Sequence, residues 1–94
     1  MLGERICELR TELGWSQVVL AKRLGVAKQT VSNWENDNIQ PSIEMLVRVA
    51  KLFNVSTDFL LGLDQEPTIN VSGLPPKVIA HINALIDDYR ERAL

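Results

Sequence analysis

Between Ser16 and Glu35 the sequence SQVVLAKRLGVAKQTVSNWE sets two short apolar patterns on either side of a single glycine. Leu20, Ala21 and Leu24 recur at helical spacing before it, and Val31 and Trp34 fall three apart after it. Ser16 is a good N-cap and Gly25 a good stop, so the first segment is a helix of fewer than ten residues. The spacing Ala21-x-x-x-Gly25 then restricts how the two can pack. A methyl side chain at Ala21 lets a second helix approach at a steep angle, and Gly25 can take the positive φ of a tight turn. Val31 is predicted to pack back on the first of the two helices.

The remaining pattern is helical throughout. Leu2, Ile6, Leu9 and Leu13 recur at four, three and four residues, one face of a helix that Gly14 can end in a left-handed conformation. NDNIQPS is rich in turn residues, and Ser42 after Pro41 caps a helix with an expected inner face of Ile43, Leu46, Val47, Ala50 and Phe53. Ser56 starts a short helix with Phe59 and Leu60 turned inward and Gly62 as its stop. From Asp64 to Gly73 the periodic pattern gives way to Pro, Gly, Ser, Thr and Asn, the composition of a linker, with a short extended segment possible at Ile69 and Val71. Pro75 and Pro76 suit the first turn of a last helix. On it Val78, Ile82, Leu85 and Tyr89 form an apolar stripe that Ile79 and Ile86 widen, over a length of roughly 27 Å. The expected class is all-α. Residues 1–63 form a five-helix domain, 64–73 a linker and 74–94 a C-terminal amphipathic helix.

At 94 residues, 46% hydrophobic and 23% charged, the chain has room for one compact domain and a small appendage. Cys7 is the sole cysteine, so no intramolecular disulfide can form, and a small core or half-buried thiol is expected. No signal-peptide pattern and no long apolar run occurs, which points to a cytoplasmic chain without membrane association. His81 and Cys7 lie far apart in the sequence, no serine has a paired base near it, and no glycine-rich phosphate loop is present. Asp87 and Asp88 point about 100° apart on a helix, and Asp88 is placed to pair with Arg92. Catalysis has no evident home, and no metal, cofactor or small-molecule effector is expected.

Charge is informative only locally. The formal net charge is −2, yet between Leu13 and Trp34 there are three cations, Lys22, Arg23 and Lys28, and no acid. With Val31 and Trp34 turned inward, the residues left outward are Lys28, Gln29, Thr30, Ser32 and Asn33, side chains able to read base edges or hold phosphates.

From Leu2 to about Leu63 the chain resembles the phage-repressor type of helix-turn-helix protein, the Cro and lambda-repressor-like (XRE) family. The matching pieces are LGWSQ, LAKRLGV, KQTVSNWEND, PSIEMLVRVAKLFNVS and FLLG, in order and at family spacing. The resemblance implies a recognition helix in the major groove of double-stranded DNA, with Lys28, Gln29, Thr30, Ser32 and Asn33 as base-contact candidates. It implies Gln17, Lys22, Asn36, Asn38 and Arg10 beside the DNA backbone, with Gln17 also bracing the recognition helix and Arg10 paired with Glu35. A repressor on an inverted-repeat operator is the implied function. Three positions depart from the pattern: Ala27 stands where Ser or Thr usually caps the recognition helix, and Val18 and Val19 replace a polar or acidic pair.

Such proteins read two half-sites, so Val78, Ile79, Ile82, Leu85, Ile86 and Tyr89 are expected to bring two copies together as a homodimer. The alternatives are that the last helix folds back on its own domain, or that the chain is an antitoxin-like protein-interaction module.

Overall fold

The computed structural model describes residues 2–64 and 68–93. Met1, Leu94 and, within the expected linker, Gln65 to Pro67 lie outside the described residues. Six helices follow in order: α1 (Leu2–Glu12), α2 (Gln17–Leu24), α3 (Lys28–Glu35), α4 (Ile43–Phe53), α5 (Thr57–Leu61) and α6 (Pro76–Ala93). No strand occurs among the described residues, Ile69 and Val71 included. The class is all-α, as the periodicity indicates.

Three of these helices begin the same way. The hydroxyls of Ser16, Ser42 and Ser56 accept from the N–H of Val19, Met45 and Phe59, at 3.1, 3.2 and 3.0 Å. Each satisfies one of the amide groups that a helix start leaves without an internal partner. At the other end, Gly25 and Gly62 close α2 and α5 in the left-handed conformation, and Asn54 does the same for α4.

One core unites the first five helices. Ile6, Leu20, Val31, Val49 and Leu60 are fully enclosed, with Leu2, Ala21, Leu24, Trp34 and Ala50 around them. Arg48 ties α4 to α2 by donating to the carbonyl of Leu24 at 2.7 Å. On α4 Leu46, Ala50 and Phe53 face inward as expected, but the face is rotated from the expected one. Ile43 is 82% exposed and Val47 is exposed, whereas Val49 is enclosed and Met45, Leu46, Leu52 and Phe53 pack around the core. Because IEMLVRVAKLF is apolar at most positions, two faces fit the same period, and packing selects the one centred on Val49. Leu13 likewise lies beyond the end of α1 and is exposed.

α1 meets α3 at a point where no side chain fits. A Cβ on Gly3 would lie 2.5 Å from the carbonyl oxygen of Trp34 and 2.7 Å from that of Glu35. The N–H of Gly3 also donates to Oδ1 of Asp37 at 3.3 Å, and Asp37 itself holds a positive φ of 57°.

A buried ion pair completes the joint. Arg10 Nε and Nη2 donate to the two carboxylate oxygens of Glu35 at 2.7 and 2.9 Å. Arg10 Nη1 donates to the carbonyl of Trp15 at 2.8 Å, and Gln17 Nε2 donates to Glu35 Oε1 at 3.1 Å. Thus α1, the turn before α2, the first residue of α2 and the last of α3 meet at one ion pair. The two side chains are 12% and 5% exposed. Burial pushes the Glu35 carboxyl upward, but the hydrogen bonds from Arg10 and Gln17 outweigh it and leave the group below its ordinary value. The bond to Glu35 raises the Arg10 guanidinium further.

Two outcomes are expected. Gly3→Ala should lower stability by about 1–3 kcal/mol in chemical denaturation, although alanine is the better helix former, because backbone atoms block the new methyl. Glu35→Gln should cost about 3 kcal/mol at neutral pH by leaving Arg10 without its charge partner. Since the Glu35 carboxyl is depressed in the folded state, its contribution is complete above the ordinary carboxylate value and disappears as pH falls through the folded one. Denaturation followed from neutral pH into acid should therefore show a steeper decline for the wild type than for Glu35→Gln.

Candidate nucleic-acid interface

α2 and α3 are joined by three residues, with Gly25 at φ 72° making the turn. Ala21 is buried beneath that turn, and the N–H of Val26 donates to its carbonyl at 2.9 Å. The steep approach of two short helices therefore follows from one small residue and one glycine. α3 is held by its narrow inner stripe, Val31 and Trp34, so Trp34 is a core residue.

The opposite side of α3 is polar. Lys28 and Gln29 are exposed, and Thr30, Ser32 and Asn33 are half-buried. Two hydrogen bonds organise this surface: Gln29 Nε2 donates to Asn33 Oδ1 at 3.0 Å, and Asn36 Nδ2 donates to Ser32 Oγ at 3.4 Å. Asn36 and Asn38 are exposed in the turn that follows, and the N–H of Asn38 donates to the carbonyl of Asn33 at 2.9 Å. α3 starts without a side-chain cap, because Ala27 has the extended backbone of a capping residue and no hydroxyl.

The electrostatics match the polar surface. Lys22 and Lys28 are exposed cations, and neither α2 nor α3 has an acid in its first turn. The single acid of α3, Glu35, is the buried residue neutralised by Arg10. Arg23 lies over the Trp15 ring at 4.4 Å, which gives it a packing role at the end of α2. Val18 and Val19 are exposed beside Gln17.

The predicted site residues are thus not equivalent. Lys28, Gln29, Thr30, Ser32 and Asn33 share one helix, with Asn36 and Asn38 continuing from it. Gln17 reaches them through Glu35, keeping its amide oxygen and one N–H outside that bond. Arg10 differs from the other expected backbone contacts, since each of its three guanidinium nitrogens donates within the protein. Cys7 touches this joint, with its Sγ 3.5 Å from Arg10 Nη2. Burial, followed by the nearby Glu35 carboxylate, pushes its thiol up and keeps it neutral. Gly3 and Asp37, which seat α1 against the end of α3, escaped the sequence reading. A glycine at the second position of an amphipathic helix is the signal available in the residues.

Among the described residues no three His, Cys, Asp or Glu side chains cluster as a metal site would require. No described helix is long and apolar enough to cross a membrane.

Comparison with known proteins matches residues 7–60, more than half of the chain, to the family model described as Helix-turn-helix. The HTH-type transcriptional regulator ImmR of Bacillus subtilis is 37% identical over 78 residues, covering 83% of this chain and 61% of ImmR. The chain therefore spans about three fifths of that relative's length. A crystal structure of SinR, the master regulator for biofilm formation, in complex with DNA superposes with a TM-score of 0.60 at 40% identity. It covers 65% of this chain and 98% of the SinR chain. A SinR–SinI complex superposes with a TM-score of 0.62 at 30% identity, covering 99% of this chain and 98% of the other. With α2 crossed on α3 by way of Ala21 and Gly25, and the family pattern matched over most of the five-helix body, the chain belongs to the XRE-type helix-turn-helix family.

Proposed function

We propose that this chain is a transcriptional regulator that binds double-stranded DNA sequence-specifically, acting as a homodimeric repressor on an inverted-repeat operator. The observation that carries the reading is the polar outer surface of α3, whose apolar hold on the core is the narrow stripe Val31 and Trp34. A helix of this kind fits the major groove, where amides, hydroxyls and a lysine meet base-edge donors and acceptors. The DNA complex of SinR, similar to this chain over about two thirds of its length, supports the same use here.

In this reading Lys28, Gln29, Thr30 and Ser32 approach the bases, Asn33 stands behind Gln29 on the same helix, and Gln17, Lys22, Asn36 and Asn38 lie along the backbone. Arg10 serves the same contact from inside by fixing Glu35, Gln17 and the end of α3. Two half-sites require two copies, and α6 supplies the means. Ile79, Ile82 and Ile86 are half-buried on it, while Val78, Leu85 and Tyr89 are exposed, at 56% for Leu85 and 63% for Tyr89. A stripe this wide on a helix that adds nothing to the enclosed core of α1–α5 is suited to a second protomer.

Selection of bound duplexes from a random pool should enrich an inverted repeat, with half-sites one helical turn apart, about 34–36 Å. Gln29→Ala should weaken binding to the selected duplex by about 1–3 kcal/mol and leave a scrambled duplex unaffected. Log K should fall against log salt concentration with a slope of about −3 to −4, given two exposed lysines on each of two protomers and about 0.9 per neutralised phosphate. Leu85→Asp should shift sedimentation from dimer to monomer. A wild type that sediments as a monomer, or a duplex pool with no enriched sequence, overturns the corresponding part of the reading.

A further inference from the structure

The hydrogen bond between Gln29 and Asn33 limits what Gln29 can read. A carboxamide offers two N–H donors and one carbonyl acceptor. In the structure one Nε2 hydrogen of Gln29 is already directed to Asn33 Oδ1 at 3.0 Å, across one turn of α3. What remains at the exposed tip is one donor and one acceptor. The major-groove edge of adenine presents the complement, an acceptor at N7 and a donor at N6, whereas guanine presents two acceptors, N7 and O6. A glutamine tied in this way can satisfy adenine fully and guanine only by half.

Asn33 is placed to hold that arrangement. It sits one turn deeper along α3 and is half-buried, and its backbone carbonyl accepts from the N–H of Asn38 at 2.9 Å. Its side-chain oxygen is committed to Gln29, so the two residues form one reading unit in place of two independent ones. Holding the long Gln29 side chain before DNA arrives also reduces the rotamer freedom lost on binding.

We infer that Asn33 is a positioning residue that fixes the Gln29 amide and thereby selects adenine over guanine at the base pair Gln29 reads. This rests on the DNA-binding reading above.

Pool selection with wild type and with Gln29→Ala first locates the base pair whose preference depends on Gln29. At that pair the wild type is expected to favour adenine over guanine by roughly tenfold in measured Kd. Asn33→Ala should lose most of that ratio at the same pair, with other pairs and the thermal midpoint unchanged. Asn33→Asp, which keeps an acceptor in place, should bind more weakly to every duplex yet retain the ratio. Replacing the adenine by 7-deazaadenine should weaken the wild type and leave Gln29→Ala unaffected. Preference for guanine at this pair would mean that both donors of Gln29 face the base, and would overturn the inference. So would an Asn33→Ala effect confined to a different base pair, which would make Asn33 a reader itself. Failure of the wild type to enrich any sequence would remove the DNA-binding reading along with it. An enriched repeat whose adenine-to-guanine ratio ignores Asn33 would remove the positioning role alone.

Discussion

The carboxylate of Glu35 is the point on which the arrangement of the first three helices depends. Short helices of eight residues have little stability of their own, and each of α2 and α3 hides only a narrow stripe. Orientation must therefore come from contacts between helices. The two-toothed pairing of Arg10 with Glu35, with Gln17 on the same carboxylate and Trp15 on the same guanidinium, supplies direction that apolar packing alone lacks. Gly3 adds a second constraint at the same end of α3, because only a bare Cα permits so close an approach to the carbonyls there. The C-terminal end of α3 is thus fixed by charge and by shape together.

Much of this was legible in the residues. Serine caps are local events, so Ser16, Ser42 and Ser56 could be read directly, as could the stops at Gly25 and Gly62. The Arg10–Glu35 pair spans 25 positions and was legible only through family resemblance. The inner face of α4 was legible in part: Leu46, Ala50 and Phe53 pack inward as expected, but a helix apolar nearly all round leaves its exact rotation open, and the tertiary neighbours of Val49 turn Ile43 and Val47 outward. Gln29 and Asn33 stand at the right spacing for a side-chain bond, but the same spacing equally suits two separate base contacts. Nothing in a linear pattern says that one polar side chain will occupy the other.

The overall acidity of the chain conceals the character of this surface. Its net charge of −2 is set by acids placed mainly outside the α2–α3 unit, while the one acid of α3 is buried and neutralised. An anionic partner would sense Lys22 and Lys28, with no exposed carboxylate on either helix to oppose them. Few cations suffice when the opposing charge has been drawn inward.

The inner stripe of α3 also separates two kinds of change that a sequence can undergo. Stability resides in Val31, Trp34 and Glu35, while Lys28, Gln29, Thr30 and Ser32 lie outside the enclosed core. Substitutions on the outer set alter which surface is presented and leave the folded body intact. A lineage built on this body can therefore vary the outer face of α3 one residue at a time, without passing through unfolded intermediates. Gln29 and Asn33 are the exception, since a hydrogen bond joins their side chains and a change at one alters the surroundings of the other.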